Sequence, residues 1–459
     1  MILSKDARRL VAALCVGQIF AIGAVADPTA DQIEALKQQI QALTQKVEAL
    51  EQAHNAEAVK QTNAPFITAG ANGFSLQSAD GDFILKLSGF AQADARDYLR
   101  SAPGGKDTFT IRRLRAIASG SVYHDFEFFI QTDFAALDTA TTTNDSFLQD
   151  AYLNIHHWDA LQFQIGKMKE PVSMEVQPLD QYLWFLERGF PTELAPNRDV
   201  GAEIHGHLWN GALVYQAGAF NGVPDGGSGD VAVADNDKDA VARVIGSPFK
   251  NTPIEALQNF AFGLGGSYGF QAGTTTPTFA TVARQTFFTY SNTVSESGQH
   301  LRLDPQGYYY WGPFCGYWEY AISDEKFHNT AGKVKYAYLE NTGWDVVGSY
   351  FLTGESNVFG KLPTVEHPFR FDGSSWGAFQ LAARFGEISL DPAAFPFYAT
   401  SGSAQRATSW SLALNWYLNH NVKCILEYDQ TSFHGGSPAP GHVTANDEMA
   451  LQGRLQFGF

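Results

Sequence analysis

Three features that would place a sequence in a common functional class are scarce or absent in this one. Cysteine occurs three times in 459 residues, and neither a C-x-x-C pair nor a Cys/His spacing typical of a zinc site is present. The nucleotide-binding motif G-x-x-x-x-G-K-[ST] and the zinc-protease motif H-E-x-x-H do not occur. Beyond its first 26 residues, the chain has no run of about 20 apolar residues, which excludes a helical membrane protein. The sequence therefore predicts no enzyme activity, no metal centre and no cofactor.

The N-terminus has a pattern of its own. Three basic residues precede an apolar run over 10–22, and the small residues Ala24, Val25 and Ala26 follow it. This arrangement predicts a secretory signal peptide over residues 1–26 that is cleaved after Ala26.

Negative charge dominates the remainder of the chain. Without the predicted signal it carries 28 Lys and Arg residues against 47 Asp and Glu residues, a net charge of -19. Nucleic-acid binding requires basic surface to neutralise phosphates, so we expect no nucleic-acid partner.

A heptad-like pattern follows the predicted signal. Its apolar residues are Ile33, Leu36, Ile40, Leu43, Val47 and Leu50. Spacings that alternate between three and four predict a short coiled coil with these side chains as its core; the alternative is a single amphipathic helix lying on the rest of the protein. We assign 27–62 to a periplasmic coiled-coil segment and the start of a linker, and 63–73 to the rest of that linker. The pattern leaves the oligomer number open.

From residue 74 onward the hydrophobic period changes to two. Phe126, Phe128 and Ile130, for example, alternate with polar residues, as half-apolar strands do. A hydrophobic face every second residue suits a β-barrel with lipid outside and water inside. We therefore predict an all-β transmembrane barrel of antiparallel strands over 74–459, preceded by the short helical coiled coil.

The C-terminal hairpin carries the clearest alternation. Two alternating strands flank an Asn-His-Asn turn, and the last strand ends with Leu455, Phe457 and Phe459 on one face. A terminal aromatic after such a strand resembles the signal by which outer-membrane barrels are recognised for assembly. Two cysteines remain after signal removal, Cys315 and Cys424, and the sequence leaves open whether they pair.

Several stretches together resemble the phosphate-selective porin O and P family. They are GFSLQSADGDFILKLSGFAQADAR from Gly73, FTIRRLRAIASGSVYHDFEFFIQTDF from Phe109, IGKMKEPVSME from Ile165, YLWFLERGFPTELAPNRDVG from Tyr182, YYYWGPF from Tyr308, FLTGE from Phe351 and WYLNHNVKCILEYD from Trp416. The resemblance covers the chain from about Gly73 to its end. It implies a 16-stranded barrel, usually trimeric, with an inward-folded loop that narrows the pore and basic side chains that guide anions. The chain length alone also permits 18 strands.

The resemblance places the constricting loop between Lys167 and Arg198. The basic residues of this stretch are Lys167, Lys169, Arg188 and Arg198. Five acidic residues lie among these four bases, which departs from a strongly basic filter. This mixed charge leaves the selected solute open.

Two arginines on a predicted strand complete the candidate anion site. Arg113 and Arg115 are two residues apart and so project to the same face, whereas Arg112 is expected to project to the other. Guanidinium groups on the lumen wall suit phosphate-like oxyanions. The neighbours His156 and His157 are expected to point to opposite faces, which argues against joint metal binding.

The sequence thus predicts an outer-membrane porin for passive diffusion of small inorganic anions, including phosphate or polyphosphate. We expect a multi-pass barrel in contact with membrane lipid, a homotrimer, and an N-terminal segment in the periplasm. One alternative is a general or cation-preferring porin, because the chain is acidic. Another is an envelope-tethering protein whose coiled coil binds a partner while the barrel is an anchor.

Overall fold

The computed structural model describes residues 30–62, 65–100, 105–137, 147–229, 236–273, 276–331, 334–437, 442, 444 and 446–459. The predicted signal peptide lies outside these residues. The chain divides into two units, residues 1–64 and 65–459. Within the described part, no helix is long and apolar enough to cross a membrane.

The first unit contains one helix, α1 (Ala30–Thr62). Helix formation agrees with the 3.5-residue spacing of the apolar side chains. Leu36, Ile40, Leu43, Val47 and Leu50 are between 52% and 64% exposed in the single chain, while the side chain of Ile33 lies outside the described set. Their assembly into a coiled coil stays a prediction.

The second unit is built from β-strands. In chain order these are β1 (Phe66–Gly70), β2 (Gly73–Gln77), β3 (Phe83–Arg100), β4 (Thr108–Val122), β5 (Phe126–Asp133), β6 (Leu148–Trp158), β7 (Leu161–Lys169), β8 (Arg198–Leu208), β9 (Leu213–Phe220), β10 (Asp239–Gly246), β11 (Phe260–Gly273), β12 (Thr278–Ala280), β13 (Thr286–Thr289), β14 (Val294–Trp311), β15 (Phe314–Asn329), β16 (Tyr336–Phe351), β17 (Ala378–Ser389), β18 (Arg406–Tyr417), β19 (Val422–His434) and β20 (Glu448–Gly458).

Sixteen of these strands close into an antiparallel barrel. From β3 to β11 and from β14 to β20, each wall strand pairs with the next along the chain. Strand β20 pairs with β3 and closes the wall, with Gly453 opposite Ala95. Closure leaves the wall no free edge, which is the condition for a sheet to span a bilayer. The count is therefore 16 rather than 18.

A small hairpin precedes the wall and corrects the predicted linker. Residues 66–70, assigned to a linker from the sequence, form β1, which pairs with β2, and β2 pairs with the first residues of β3. The first wall strand consequently begins at Phe83 rather than at residue 74. All of β1 is exposed, so it lacks the one-sided burial that makes a strand visible as an alternating pattern.

Side chains alternate across the wall as the sequence predicts. In β20, Leu451, Leu455 and Phe457 are exposed on the outer face, whereas Gln452 and Arg454 are buried inside. An apolar outer face and a polar inner face are the pattern of a membrane barrel. Both cysteines are free: Cys315 is buried in the interior, and Cys424 is partly exposed and belongs to the outer-face set of β19.

The two ends of the barrel differ in their connections. At the turn end, most hairpins are tight, such as Gly312 and Pro313 between β14 and β15. At the loop end the connections are longer, including 170–197 between β7 and β8 and 221–238 between β9 and β10. Short periplasmic turns and long outer loops are typical of outer-membrane barrels.

Three connecting segments fold into the lumen and stack along the barrel axis. Residues 170–197, the inner loop, lie in the middle and are largely buried. At the loop end, the β12–β13 hairpin packs on the inner loop through Phe279, Phe288, Phe190 and Leu194.

The third segment enters from the turn end. Within the β16–β17 connection, Phe359 stacks on Tyr308 with ring centroids 5.6 Å apart. A Cβ atom added at the neighbouring Gly360 would lie 3.2 Å from Pro178 of the inner loop. Inward-folded segments therefore lie in the lumen at three successive levels.

Candidate functional site: a charged network around the inner loop

The inner loop is held by hydrophobic packing on one side of the lumen. Trp184, Phe185 and Leu186 belong to a buried cluster with wall residues such as Tyr317 and Val347. Burying a large apolar side chain contributes about 1.5–3 kcal/mol, so this cluster fixes the loop against the wall.

Close backbone approach adds to this anchoring near the start of the loop. A Cβ atom at Gly265 of β11 would lie 2.0 Å from the carbonyl oxygen of Val172. Only glycine leaves room for the loop to approach β11 so closely.

Asp180 of the inner loop gathers three guanidinium groups. Arg115 contacts one carboxylate oxygen, Arg188 donates to the other at 2.6 Å, and Arg113 lies 3.4 Å from it. Arg115 also donates to Asp133 of β5 at 2.9 Å. Arg113 and Arg115 therefore share the inner face, as their spacing predicts.

Glu187 is the second centre of the network. Arg96 and Arg112 each donate to one carboxylate oxygen at 2.7 Å, and Arg113 donates to the other at 3.3 Å. Arg96 also donates to Asp94 at 3.1 Å. One inner-loop carboxylate thus links two adjacent wall strands, β3 and β4.

The position of Arg112 corrects the sequence analysis. The register between β3 and β4 pairs Gln92 with Arg113 but Ala93 with Ile111, so Arg112 is the extra residue of a β-bulge. A bulge turns the side chain away from strict alternation, and Arg112 consequently faces Glu187 in the lumen.

The arginine contacts favour the ionised forms of Asp180 and Glu187. Burial alone would raise the pKa of Asp180, but Arg113, Arg115 and Arg188 together hold it well below its ordinary value. Burial likewise opposes ionisation of Glu187, and Arg112 and Arg113 hold its pKa well below the ordinary range. The opposite holds for Glu170 at the start of the loop, because burial and then Asp199 raise its pKa well above the ordinary value.

Three cationic wall residues missed by the sequence analysis bind the backbone of the inner loop. Lys423 donates to the carbonyl oxygen of Leu183 at 2.7 Å, Arg454 to that of Leu186 at 2.7 Å, and Arg384 to that of Glu187 at 2.9 Å. Alternation along the C-terminal hairpin is the signal that could have placed Lys423 and Arg454 on the inner face. The sequence offered no signal that a loop 240 to 268 residues earlier lies against them.

The remaining predicted bases lie at the two ends of the inner loop. Lys169 donates to the carbonyl oxygens of Gln177 and Pro178 at 3.0 and 2.6 Å. Arg198 is an ion-pair partner of Asp150 at 3.1 Å. Lys167 is buried on β7, directly beside these residues. Whether these positions, together with Arg188, bind anions stays a prediction.

An acidic surface lies on the wall opposite the arginines. Glu319 of β15 faces Asp345 of β16 directly across the strand pair, and Asp304 of β14 lies on the same inner face. Glu319 accepts hydrogen bonds from the backbone N–H groups of Met174 and Glu175. Neither carboxylate oxygen of Asp345 has a hydrogen-bond partner among the described residues.

The described contacts of His156 and His157, and of the serines in two G-x-S-x-G patterns, do not pair a serine with a histidine. His156 lies inward between Glu127 and Asp159 at 3.1 and 2.9 Å, while His157 contacts Asp125. The pattern G-x-S-x-G does occur at 265–269 and 373–377, where the first serine accepts a hydrogen bond from Arg302 and the second donates to a backbone carbonyl.

Comparison with known families agrees with the barrel architecture. The family model for phosphate-selective porin O and P matches residues 85–459. A comparison with curated proteins finds no match.

Solved outer-membrane proteins share the fold at low sequence identity. The trimer form of OmpT of Vibrio cholerae is 11% identical with a TM-score of 0.51, over 82% of this chain and 99% of that one. The channel DcaP of Acinetobacter baumannii is 11% identical with a TM-score of 0.51, over 85% of this chain and 100% of that one. An anion-selective porin from Comamonas acidovorans is 11% identical with a TM-score of 0.50, over 82% and 100%.

Proposed function

Because this chain belongs to the phosphate-selective porin O and P family, we propose that it forms an outer-membrane channel for the passive diffusion of small anions, including phosphate. A closed barrel with a polar interior and an inward-folded loop supports a narrow aqueous pathway. The arginines around the inner loop supply the charge that selects the solute.

The observation that carries the anion assignment is the charge of the network around the inner loop. Its guanidinium groups are Arg96, Arg112, Arg113, Arg115, Arg188 and Arg454, and its carboxylates are Asp94, Asp133, Asp180 and Glu187. Six positive and four negative groups leave a net charge of +2 in these contacts. An entering oxyanion can accept hydrogen bonds from the same guanidinium groups that the two loop carboxylates use.

A second candidate is a cation-preferring porin, and the wider charge balance favours it. Among the described residues, twenty carboxylates are buried against nine Lys and Arg side chains. The buried carboxyl groups of Asp304, Glu319 and Asp345 lie on the opposite wall and would favour cations there. Fixed charge at the narrowest point decides between the two candidates.

The homotrimer and the coiled coil belong to the same proposal. OmpT, which shares the fold, has a trimer form, and the exposed apolar side chains of α1 suit self-association of three chains. We place the turn end and α1 in the periplasm, because short turns lie on that side of outer-membrane barrels. Deletion of 31–50 tests tethering: loss of envelope attachment with unchanged conductance would favour the tether.

The first test is the zero-current potential of the purified protein in a planar bilayer under a KCl gradient, followed by titration with phosphate. We expect an anion-selective potential and a current that phosphate reduces. A cation-selective potential without block would retain the channel and reject the anion assignment. Absence of conductance from correctly folded protein would reject the channel itself.

A matched pair of variants assigns the selectivity to the network. Arg113→Gln combined with Arg115→Gln should shift the potential toward cations and weaken phosphate block. Arg406→Gln is the control, because Arg406 lies at the loop end on the outer face and its side chain is 48% exposed. Equal potentials for both variants would exclude the two inner arginines from selectivity.

A further inference from the structure

A buried group of three ionisable side chains lies apart from the arginine network, in the loop-end half of the lumen. His300 of β14 and Glu325 of β15 face each other across the strand pair, and Asp225 comes from the β9–β10 connection. Their side chains are between 0% and 2% exposed. One nitrogen or oxygen atom from each lies within 4.8 Å of the others.

Hydrogen bonding fixes the protonation of the imidazole ring. Ser323 donates its hydroxyl hydrogen to Asp225 at 2.6 Å, so its oxygen is free to accept from the His300 Nε2–H group 2.8 Å away. Asp225 Oδ1 lies 3.3 Å from the same nitrogen. In neutral His300 the proton is therefore on Nε2, and Nδ1 presents a lone pair.

That lone pair faces a carboxylate. His300 Nδ1 lies 3.7 Å from Glu325 Oε2, and neither this nitrogen nor either oxygen of Glu325 has a hydrogen-bond partner among the described residues. Two buried electron-rich atoms that face each other without a cation are unfavourable. Protonation of Glu325 or a bound metal ion would relieve this arrangement.

The separation favours a metal ion. Hydrogen bonds with a nitrogen donor span about 2.7–3.2 Å, so 3.7 Å is too long for one shared proton. Two ligand bonds of about 2.1 Å, meeting at about 110–120°, separate nitrogen and oxygen by roughly 3.4–3.6 Å.

The surrounding charge leads to the same conclusion. Arg302 donates to Asp225 at 2.7 Å and lies 3.4 Å from Asp239. Together with Glu325, these groups comprise three carboxylates and one guanidinium, and the buried carboxylate of Glu296 lies close to Glu325 as well. Negative groups therefore outnumber positive ones here, and a divalent cation would reduce that excess.

We propose that His300 Nδ1 and the Glu325 carboxylate bind a divalent transition-metal ion of the Zn²⁺ class. Imidazole nitrogen and carboxylate oxygen are ligands that such ions accept. Asp225 is a positioning residue, because a carboxylate that accepts from the second ring nitrogen orients a metal-binding histidine. Asp225 thereby links the β9–β10 connection to the wall beside the proposed ion.

The test is calorimetric titration of Zn²⁺ into the full chain after chelator treatment. We expect one bound ion per chain, and His300→Gln and Glu325→Gln should each abolish its binding. Asp225→Asn should weaken binding by about 10- to 100-fold, as loss of such an orienting partner does. His205→Gln is the matched control, since His205 is a partly buried lumen histidine that contacts Asn154 at 3.0 Å.

Unchanged single-channel conductance in the variants shows that loss of zinc does not reflect misfolding. X-ray absorption at the zinc edge should report nitrogen and oxygen ligands with one imidazole in the wild type. Absence of binding in the wild type, or binding by His300→Gln and Glu325→Gln that equals wild-type binding, would overturn the proposal. Neither result bears on the anion selectivity, which the bilayer potential measures separately.

Discussion

The two walls that face the inner loop balance buried charge in different ways. On the β3–β4 wall, Asp180 and Glu187 each contact three or more guanidinium groups. On the β15–β16 wall, Glu319 and Asp345 face each other, and the hydrogen bonds to Glu319 come from backbone N–H groups. The first wall forms an ion-pair network with the inner loop, whereas on the second wall neither Glu319 nor Asp345 forms an ion pair with any described residue. The comparison shows that one inner loop can separate two electrostatic environments within a single pore.

The largest loss of stability should follow from removing the negative charge of Glu187 on the β3–β4 wall. Glu187→Gln keeps the shape of the side chain but leaves Arg96, Arg112 and Arg113 without their shared counterion. Removing one partner of a buried ion pair costs about 3–5 kcal/mol, so the free energy of unfolding should fall by that order. The zero-current potential should also move toward anions.

Denaturant unfolding of the refolded barrel measures the stability change. Glu366→Gln is the control, because Glu366 is exposed in the β16–β17 connection. A difference below about 1 kcal/mol between the two variants would show that Glu187 is not an essential counterion.

The pH dependence of unfolding tests whether Glu187 is ionised in the folded protein. The pKa of Glu187 lies well below its ordinary value of 4.5, since its arginine contacts outweigh burial. A carboxyl group with a lowered pKa in the folded state stabilises the protein above its unfolded pKa and loses that contribution as the pH falls through the folded one. The difference in unfolding free energy between wild type and Glu187→Gln should therefore stay constant from pH 7 to pH 5 and shrink only below about pH 4.5. If that difference in unfolding free energy already decreased at pH 6, the pKa of Glu187 would not be lowered.

The smallest change in stability is expected from Asp345 on the β15–β16 wall. Asp345→Asn removes one of two carboxylates that face each other, and relief of like charges across a strand pair contributes about 0.2–1 kcal/mol. We expect equal or slightly higher stability and a smaller contribution of cations to the current. Asp324→Asn on the outer-face set of β15 is the matched control. A loss of several kcal/mol would show that Asp345 has an essential partner.

The alternating strands were predictable because burial on one side of a sheet repeats every second residue. The outward positions of Phe126, Ile130 and the last strand follow from that period alone. The same rule failed at Arg112, where a single bulge residue shifts the parity, and at β1, where both faces are exposed.

The partners of the arginines were harder to predict than their direction. Spacing placed Arg113 and Arg115 on one face, and the resemblance placed the constricting loop between Lys167 and Arg198. Neither could show that Asp180 and Glu187 would neutralise much of that charge, because such contacts depend on how a loop folds back across the lumen. Long-range pairs such as Arg384 with the backbone of Glu187 leave no periodic pattern in a sequence.

In the proposed channel, the three stacked segments in the lumen would act electrically as resistors in series. The β12–β13 hairpin, the inner loop and the turn-end segment around Phe359 each narrow the same path, so their resistances add. Widening the path at one level leaves the other two to limit the current. A solute that crosses would therefore meet three successive constrictions, and the one with the highest resistance would contribute most to the total.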